Sequence, residues 1–172
     1  MPITPRQSYP FDFSCDGESI ATLEGCVLDK LKTVAQEYLR RTGTRLMVTS
    51  ARRTLKHTAL LMSAFTIEQL EGMYCRNGYP DYIRTMKSAM EHLQRKLTPE
   101  ETYDILKNRQ EGFISSHLFG GAIDIAVEGL ADKNLLTHLL HAEGFSTLDE
   151  TDLGVLCIHA SHLNVAKVIV RE

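Results

Sequence analysis

The sequence predicts an α+β domain: a small antiparallel sheet, helices packed on one face and a cleft on the other. Three observations point there. Helical periodicity comes in blocks, the largest between residues 55 and 110. Strand-like apolar runs are few and short, at residues 45–50, 123–127 and 155–158. Turn signals such as Gly43, Asn77-Gly78, Gly120-Gly121 and Gly144 separate the runs. Helices in blocks with few strands collect on one side of a sheet rather than alternating through it.

Composition bounds the rest. The 172 residues suffice for one domain, residues 1–172, with a sizeable core. Hydrophobic residues make up 43% and charged residues 24%, an ordinary globular balance. A formal net charge of -3 offers no basic field for nucleic acid. No apolar run approaches the roughly 18 residues of a membrane span. Cys15, Cys26, Cys75 and Cys157 form no C-x-x-C pair and read as free thiols of a protein made in the cytoplasm. Residues 1–14 lack the apolar core of a secretory signal, and residues 1–17 read as an extended, Pro-rich arm.

Residues 19–41 read as one long amphipathic helix. Leu23, Val27, Leu31, Val34 and Tyr38 recur at spacings of three and four, Arg40 and Arg41 suit its last turn, and Gly43 stops it. Residues 45–50 follow as a short strand. Residues 55–110 read as helices over 58–72, 79–97 and 99–109. The last has a clear start, with Thr98 as cap, Pro99 at the first helical position and Glu101 at the third. His57 and His92 read as surface residues of these helices.

The stretch Ser115-Ser116-His117-Leu118-Phe119-Gly120-Gly121-Ala122-Ile123-Asp124 organises the chain. Histidine nitrogen and carboxylate oxygen are both good zinc ligands. The two glycines argue against a continuous helix, so His117 sits on a loop and a bend leads into a strand delivering Asp124. Ile123, Ile125 and Val127 alternate with Asp124, Ala126 and Glu128, the period of a strand. Residues 132–143 then read as a helix with Leu135, Leu136, Leu139 and Leu140 inward and His138 and His141 on its surface. Val155-Leu156-Cys157-Ile158 reads as a central strand running into His159, Ala160, Ser161 and His162.

The pattern S-x-H-x-x-G-x-A-x-D, filled by Ser115, His117, Gly120, Ala122 and Asp124, resembles the zinc motif of the D-alanyl-D-alanine metallopeptidases. Those enzymes share a fold with murein endopeptidases, phage endolysin peptidases and the hedgehog signalling domain. The helix followed by Gly144-Phe145 is similar to that family too. The resemblance implies one zinc ion per chain in the cleft, held by His117, Asp124 and a strand histidine. Two registers supply the third ligand. One resembles the His-x-His-x-Ser form, with His159 as ligand and Cys157 in the proton-handling position. The other resembles the acid-x-x-His form, with His159 as base and His162 as ligand. The first is preferred, because Ile158 reads as strand interior and His159 is the first polar residue at its end.

By the same resemblance the Ser50-Ala51-Arg52-Arg53-Thr54 stretch brings Arg53 to the active site, where it holds a substrate carboxylate or developing negative charge. Ser115 hydrogen-bonds the substrate. The family's usual glutamate is absent, so Asp152, Glu150 or His162 takes the proton; Asp152 and His162 are the provisional candidates. Residues 55–110 exceed what many family members carry there and read as a helical insertion that shapes substrate choice, binds a protein partner or adds packing. The implied activity is zinc-dependent hydrolysis of peptidoglycan stem peptides or crosslinks, as a D,D-carboxypeptidase or endopeptidase. Such an enzyme reaches the cell wall after phage lysis or through specialised secretion. The rival expectation is a hedgehog-like zinc-containing binding module.

Overall fold

A computed structural model of the chain describes residues 8–110 and 112–172. Chain order is β1 (Asp12–Phe13), α1 (Gly17–Ala21), α2 (Gly25–Thr42), β2 (Met47–Ser50) and then four helices. These are α3 (Leu55–Ala64), α4 (Ile67–Tyr74), α5 (Asp81–Leu93) and α6 (Pro99–Lys107). A 3-10 turn (Ser116–Phe119) precedes β3 (Ala122–Ala126), α7 (Lys133–Ala142) and β4 (Phe145–Asp149). A second 3-10 turn (Thr151–Leu153) leads to β5 (Cys157–His162).

The α+β class is as expected, but the sheet is mixed rather than antiparallel. Its order is β1-β2-β3-β5-β4, with β1 parallel to β2 and the other neighbours antiparallel. The parallel pair comes from the arm. Asp12 N–H donates to Leu46 O (2.9 Å), Ser14 N–H donates to Val48 O (3.0 Å), and Arg45 Nε reaches the Asp12 carboxylate at 2.9 Å. The arm's first seven residues lie outside the described residues.

The single helix expected over 19–41 is two helices, because another segment fills the break. Glu24 N–H donates to Gly120 O at 3.0 Å. Gly120 itself has φ +77°, and a Cβ there would lie 2.9 Å from Thr22 O. Only glycine fits this approach without strain. The expected stripe is otherwise present: Val27, Leu31, Val34 and Tyr38 are buried, and Gly43 ends α2 in a left-handed conformation. The helix expected over 58–72 also divides. Thr66 and Gln69 form a reciprocal cap that starts α4 afresh. The Thr98–Glu101 cap of α6 is as read.

Two apolar cores result among the described residues. Val48, Ile123, Ile125, Ile158 and Ala160 of the sheet cluster with Leu31 and Val34 of α2 and Leu136 and Leu140 of α7. Leu55, Met62, Leu70, Ile83, Met86 and Leu106 of α3 to α6 form the other, joined by Leu118 of the first 3-10 turn. Burying one such side chain is worth about 1.5–3 kcal/mol, so each cluster is a real anchor. The helices are therefore not all on one face. α2 and α7 cover the apolar face, while α3 and α4 wall the cleft at the other.

Candidate metal centre

β3 and β5 pair in register, with Asp124 directly opposite His159. Residues opposite each other in a sheet share a face. Ile123 and Ile125 point into the apolar core, so Asp124 points away from it, and His159 follows. The third donor arrives from the 3-10 turn. Ser115 caps that turn by accepting the His117 N–H at 3.3 Å, and Gly120 closes it. Arg53 N–H donates to His117 O (3.0 Å), and His117 Nδ1–H donates to Ala51 O (2.6 Å). The β2–α3 connection thus holds both the backbone and the ring of His117.

The three donors converge. His117 Nε2 lies 3.1 Å from Asp124 Oδ1 and 3.2 Å from His159 Nδ1. His159 Nδ1 lies 2.9 Å from Asp124 Oδ1. A carbonyl only accepts, so the bond to Ala51 fixes the proton on His117 Nδ1 and leaves a lone pair on Nε2. His159 Nε2 is satisfied by Ser161 Oγ at 2.8 Å, which leaves Nδ1 for the cluster. Two nitrogens and one carboxylate oxygen thus crowd together with few protons to share. A tetrahedral ion with bonds near 2.0–2.1 Å separates its donors by roughly 3.3 Å, close to these spacings. The residues present fit a divalent metal, and His117, Asp124 and His159 can hold it. The outer bonds to Ala51 and Ser161 are the kind that orient metal-binding histidines.

Charge follows the same plan. Burial pushes the His117 imidazole down to about 4, against the pull of Asp124, so the ring is neutral near pH 7. Burial opposes charge on Asp124, yet His117, His159 and the Arg53 guanidinium outweigh it and hold the carboxyl well below the usual range. Arg53 Nη2 bonds Asp124 Oδ2, and Arg53 Nε donates to Ser50 Oγ at 2.6 Å. Asp124 therefore turns one oxygen to the histidines and the other to the arginine.

The cleft that opens over this cluster is about 1210 Å³ in volume, on the scale of a small-ligand site. Arg53 and Ser115, both expected in the site, line it. His162 and Asp152, the expected proton carriers, do not join the cluster. His162 stands three residues beyond His159 on the same strand, so the two side chains leave opposite faces. Its ring lies edge-on to Phe145, with centroids 5.0 Å apart, in the apolar layer. The register with His162 as ligand fails for the same reason. Asp152 is exposed on the second 3-10 turn. His92, His138 and His141 are exposed helix residues, as read from the sequence.

Two residues of the cleft lay outside the provisional assignment. Glu150, half-buried just after β4, has its carboxyl pushed above the ordinary range by burial and then by Asp124. It accepts from Cys157 Sγ at 3.3 Å. Cys157 occupies the expected side of β5, but burial first, then Asp124 and Glu150, pushes its thiol up, which makes it a poor base. Tyr74, at the end of α4, is the other; burial pushes its hydroxyl up to about 12. Neither carries a sequence signal beyond an acid in a turn and an aromatic at a helix end.

Comparison with protein-family models, with curated proteins and with solved structures finds no match to this chain.

Proposed function

We propose that the chain is a metal-dependent peptidase, with zinc as the ion, acting on the peptide stems or crosslinks of peptidoglycan. One observation carries the reading: imidazole, carboxylate and imidazole from three separate segments meet within 3.2 Å at the floor of a cleft. The resemblance of the Ser115–Asp124 motif to the D-alanyl-D-alanine metallopeptidases supplies the substrate class. Three protein ligands leave a position for water, as catalytic rather than structural zinc sites do. Two histidines and a carboxylate also hold ferrous iron in oxygenases. The acid and guanidinium beside the site favour hydrolysis.

When bound, the ion supplies a Lewis acid for the scissile carbonyl and brings the pKa of water toward neutral. Glu150 accepts the proton from the attacking water and returns it to the leaving amine. One C–O bond forms, the amide C–N bond breaks, and the proton ends on nitrogen. Arg53 holds Asp124 in its ligand orientation and adds positive charge near the developing oxyanion. Ser115 Oγ accepts from His117 and keeps its own proton to donate to the substrate.

The test is digestion of purified peptidoglycan, with products read by mass spectrometry beside metal analysis. Wild-type protein releases free amine and carboxylate ends and carries about one zinc per chain; His117→Ala does neither. Muropeptide binding without cleavage, at full metal content, replaces this reading with the hedgehog-like binding module. Iron in place of zinc removes the peptidase.

A further inference from the structure

The helical segment between β2 and the first 3-10 turn contributes a side chain to the cleft. Tyr74 lies at the C-terminal end of α4, and its ring packs edge-on against Tyr82 with centroids 6.4 Å apart. The ring belongs to the second apolar core, but the residue also lines the cleft with Arg53, Asp124, Glu150 and His159. Burial is the main influence on its hydroxyl, and the charges of Arg53, Glu150 and Asp124 act on it after that. No hydrogen bond to that hydroxyl occurs among the described residues, and it is not a sealed buried atom. A phenol oxygen in such a place usually finds a partner.

The position of α4 is set by the turn that follows Glu150. Gln69 Nε2 donates to Leu153 O at 2.8 Å, while the same side chain's Oε1 accepts the Thr66 N–H at 2.9 Å and caps α4. Gly72 lies so close to that turn that a Cβ would stand 2.6 Å from a Leu153 methyl. One amide and one glycine therefore dock α4 on the Glu150 turn. Tyr74 and Glu150 enter the cleft from these docked elements.

We propose that Tyr74 is a catalytic residue whose O–H donates a hydrogen bond to the scissile carbonyl oxygen as negative charge develops on it. This rests on the peptidase reading above. Tyr74 gives up no proton; it stays neutral through the working range and acts as a fixed dipole in a site half removed from water. Such a donor is worth more in the transition state than in the ground state, so its loss falls on kcat.

The experiment compares wild-type protein with Tyr74→Phe, which keeps the ring against Tyr82. Each is measured for zinc content, thermal midpoint, kcat and KM on a peptidoglycan-derived peptide. Each is also measured for the Kd of a phosphinate analogue of that peptide, which carries the charged tetrahedral oxygens. Tyr74→Phe is expected to keep its zinc and midpoint, to lose about 100-fold in kcat with KM within about twofold, and to bind the phosphinate at least tenfold more weakly. Equal phosphinate Kd values, or a loss confined to KM, overturn the role of Tyr74 and leave the peptidase standing. A variant that loses zinc or its midpoint overturns it too, since Tyr74 is then a packing residue. Wild-type protein that holds zinc but neither cleaves the peptide nor binds the phosphinate removes the peptidase itself, and Tyr74 with it.

Discussion

Asp124 and His159 face each other across two antiparallel strands, with Oδ1 and Nδ1 2.9 Å apart. Sheet pairing alone therefore delivers two of three donors, and the third depends on the loop that holds His117. Removing one donor from such a set removes most of the metal affinity. Asp124→Asn and His159→Ala are expected to drop bound zinc from about one per chain to near zero by elemental analysis. Chelation of the wild-type protein should lower its thermal midpoint. A metal present at about 100 times its Kd stabilises the native state by about 2.7 kcal/mol.

Glu150 can be separated from the ligands. Glu150→Gln keeps the shape of the side chain and removes the proton acceptor. Zinc content is expected to stay at the wild-type level while kcat falls by about 100-fold or more. Equal activity in the variant would transfer the proton to another group. Asp152→Asn, exposed on the neighbouring turn, is the matched control and should change little.

Stability against pH carries a signature of His117. Its folded value is about 4 against an ordinary 6.5, so between these values the unfolded chain binds the extra proton. The contribution of neutral His117 is fully present above about pH 6.5 and is lost as pH falls toward 4. Metal release on acidification has the same sign, so the measurement uses chelator-treated protein. Glu150 acts oppositely. Its raised value favours the folded state at low pH, and that help fades as pH rises through the folded value. In a Glu150→Gln background, melting curves from pH 4 to 7 should show the rise, and adding His117→Gln should flatten it.

Gly120 joins the metal motif to the break between α1 and α2. Gly120→Ala places a Cβ 2.9 Å from Thr22 O at a φ of +77°. A left-handed non-glycine residue against rigid backbone costs about 1–3 kcal/mol. The midpoint in denaturant should fall accordingly, and zinc affinity with it, since the same turn carries His117. Gly129→Ala has positive φ but open space around it, so it tests the angle without the contact.

Thiol chemistry distinguishes the two sides of the molecule. Cys26 is exposed and Cys157 is buried with its thiol pushed up. In the native protein at pH 8, iodoacetamide should modify Cys26 and spare Cys157. Equal labelling rates in the native state would place Cys157 outside the closed floor of the cleft.

The motif around His117 and Asp124 was legible because its spacing is local. The alternation of Ile123, Asp124 and Ile125 already says that Asp124 leaves the apolar face. The stripe of α2 and the cap at Thr98 are likewise read from near neighbours, but the strand expected over 155–158 begins at Cys157 and runs through His162, so His159 lies inside it rather than at its end. A choice between His159 and His162 also follows from strand parity once β5 is known to extend through His162. The break at residues 22–24 was not legible, because it exists to receive Gly120 from almost a hundred residues away. The parallel edge strand was hidden too, since two residues of an arm carry no periodicity.

The sequence by itself determined the α+β class, two of the three side chains that could hold a metal and the two candidate registers for the third. Tertiary structure decided that His159 meets His117 and Asp124, that Arg53 bonds Asp124, and that Glu150 and Tyr74 rather than His162 and Asp152 line the cleft. The division has one physical cause. Local spacing fixes which face of a helix or strand a side chain leaves, but which faces meet is set by packing between segments distant in the chain.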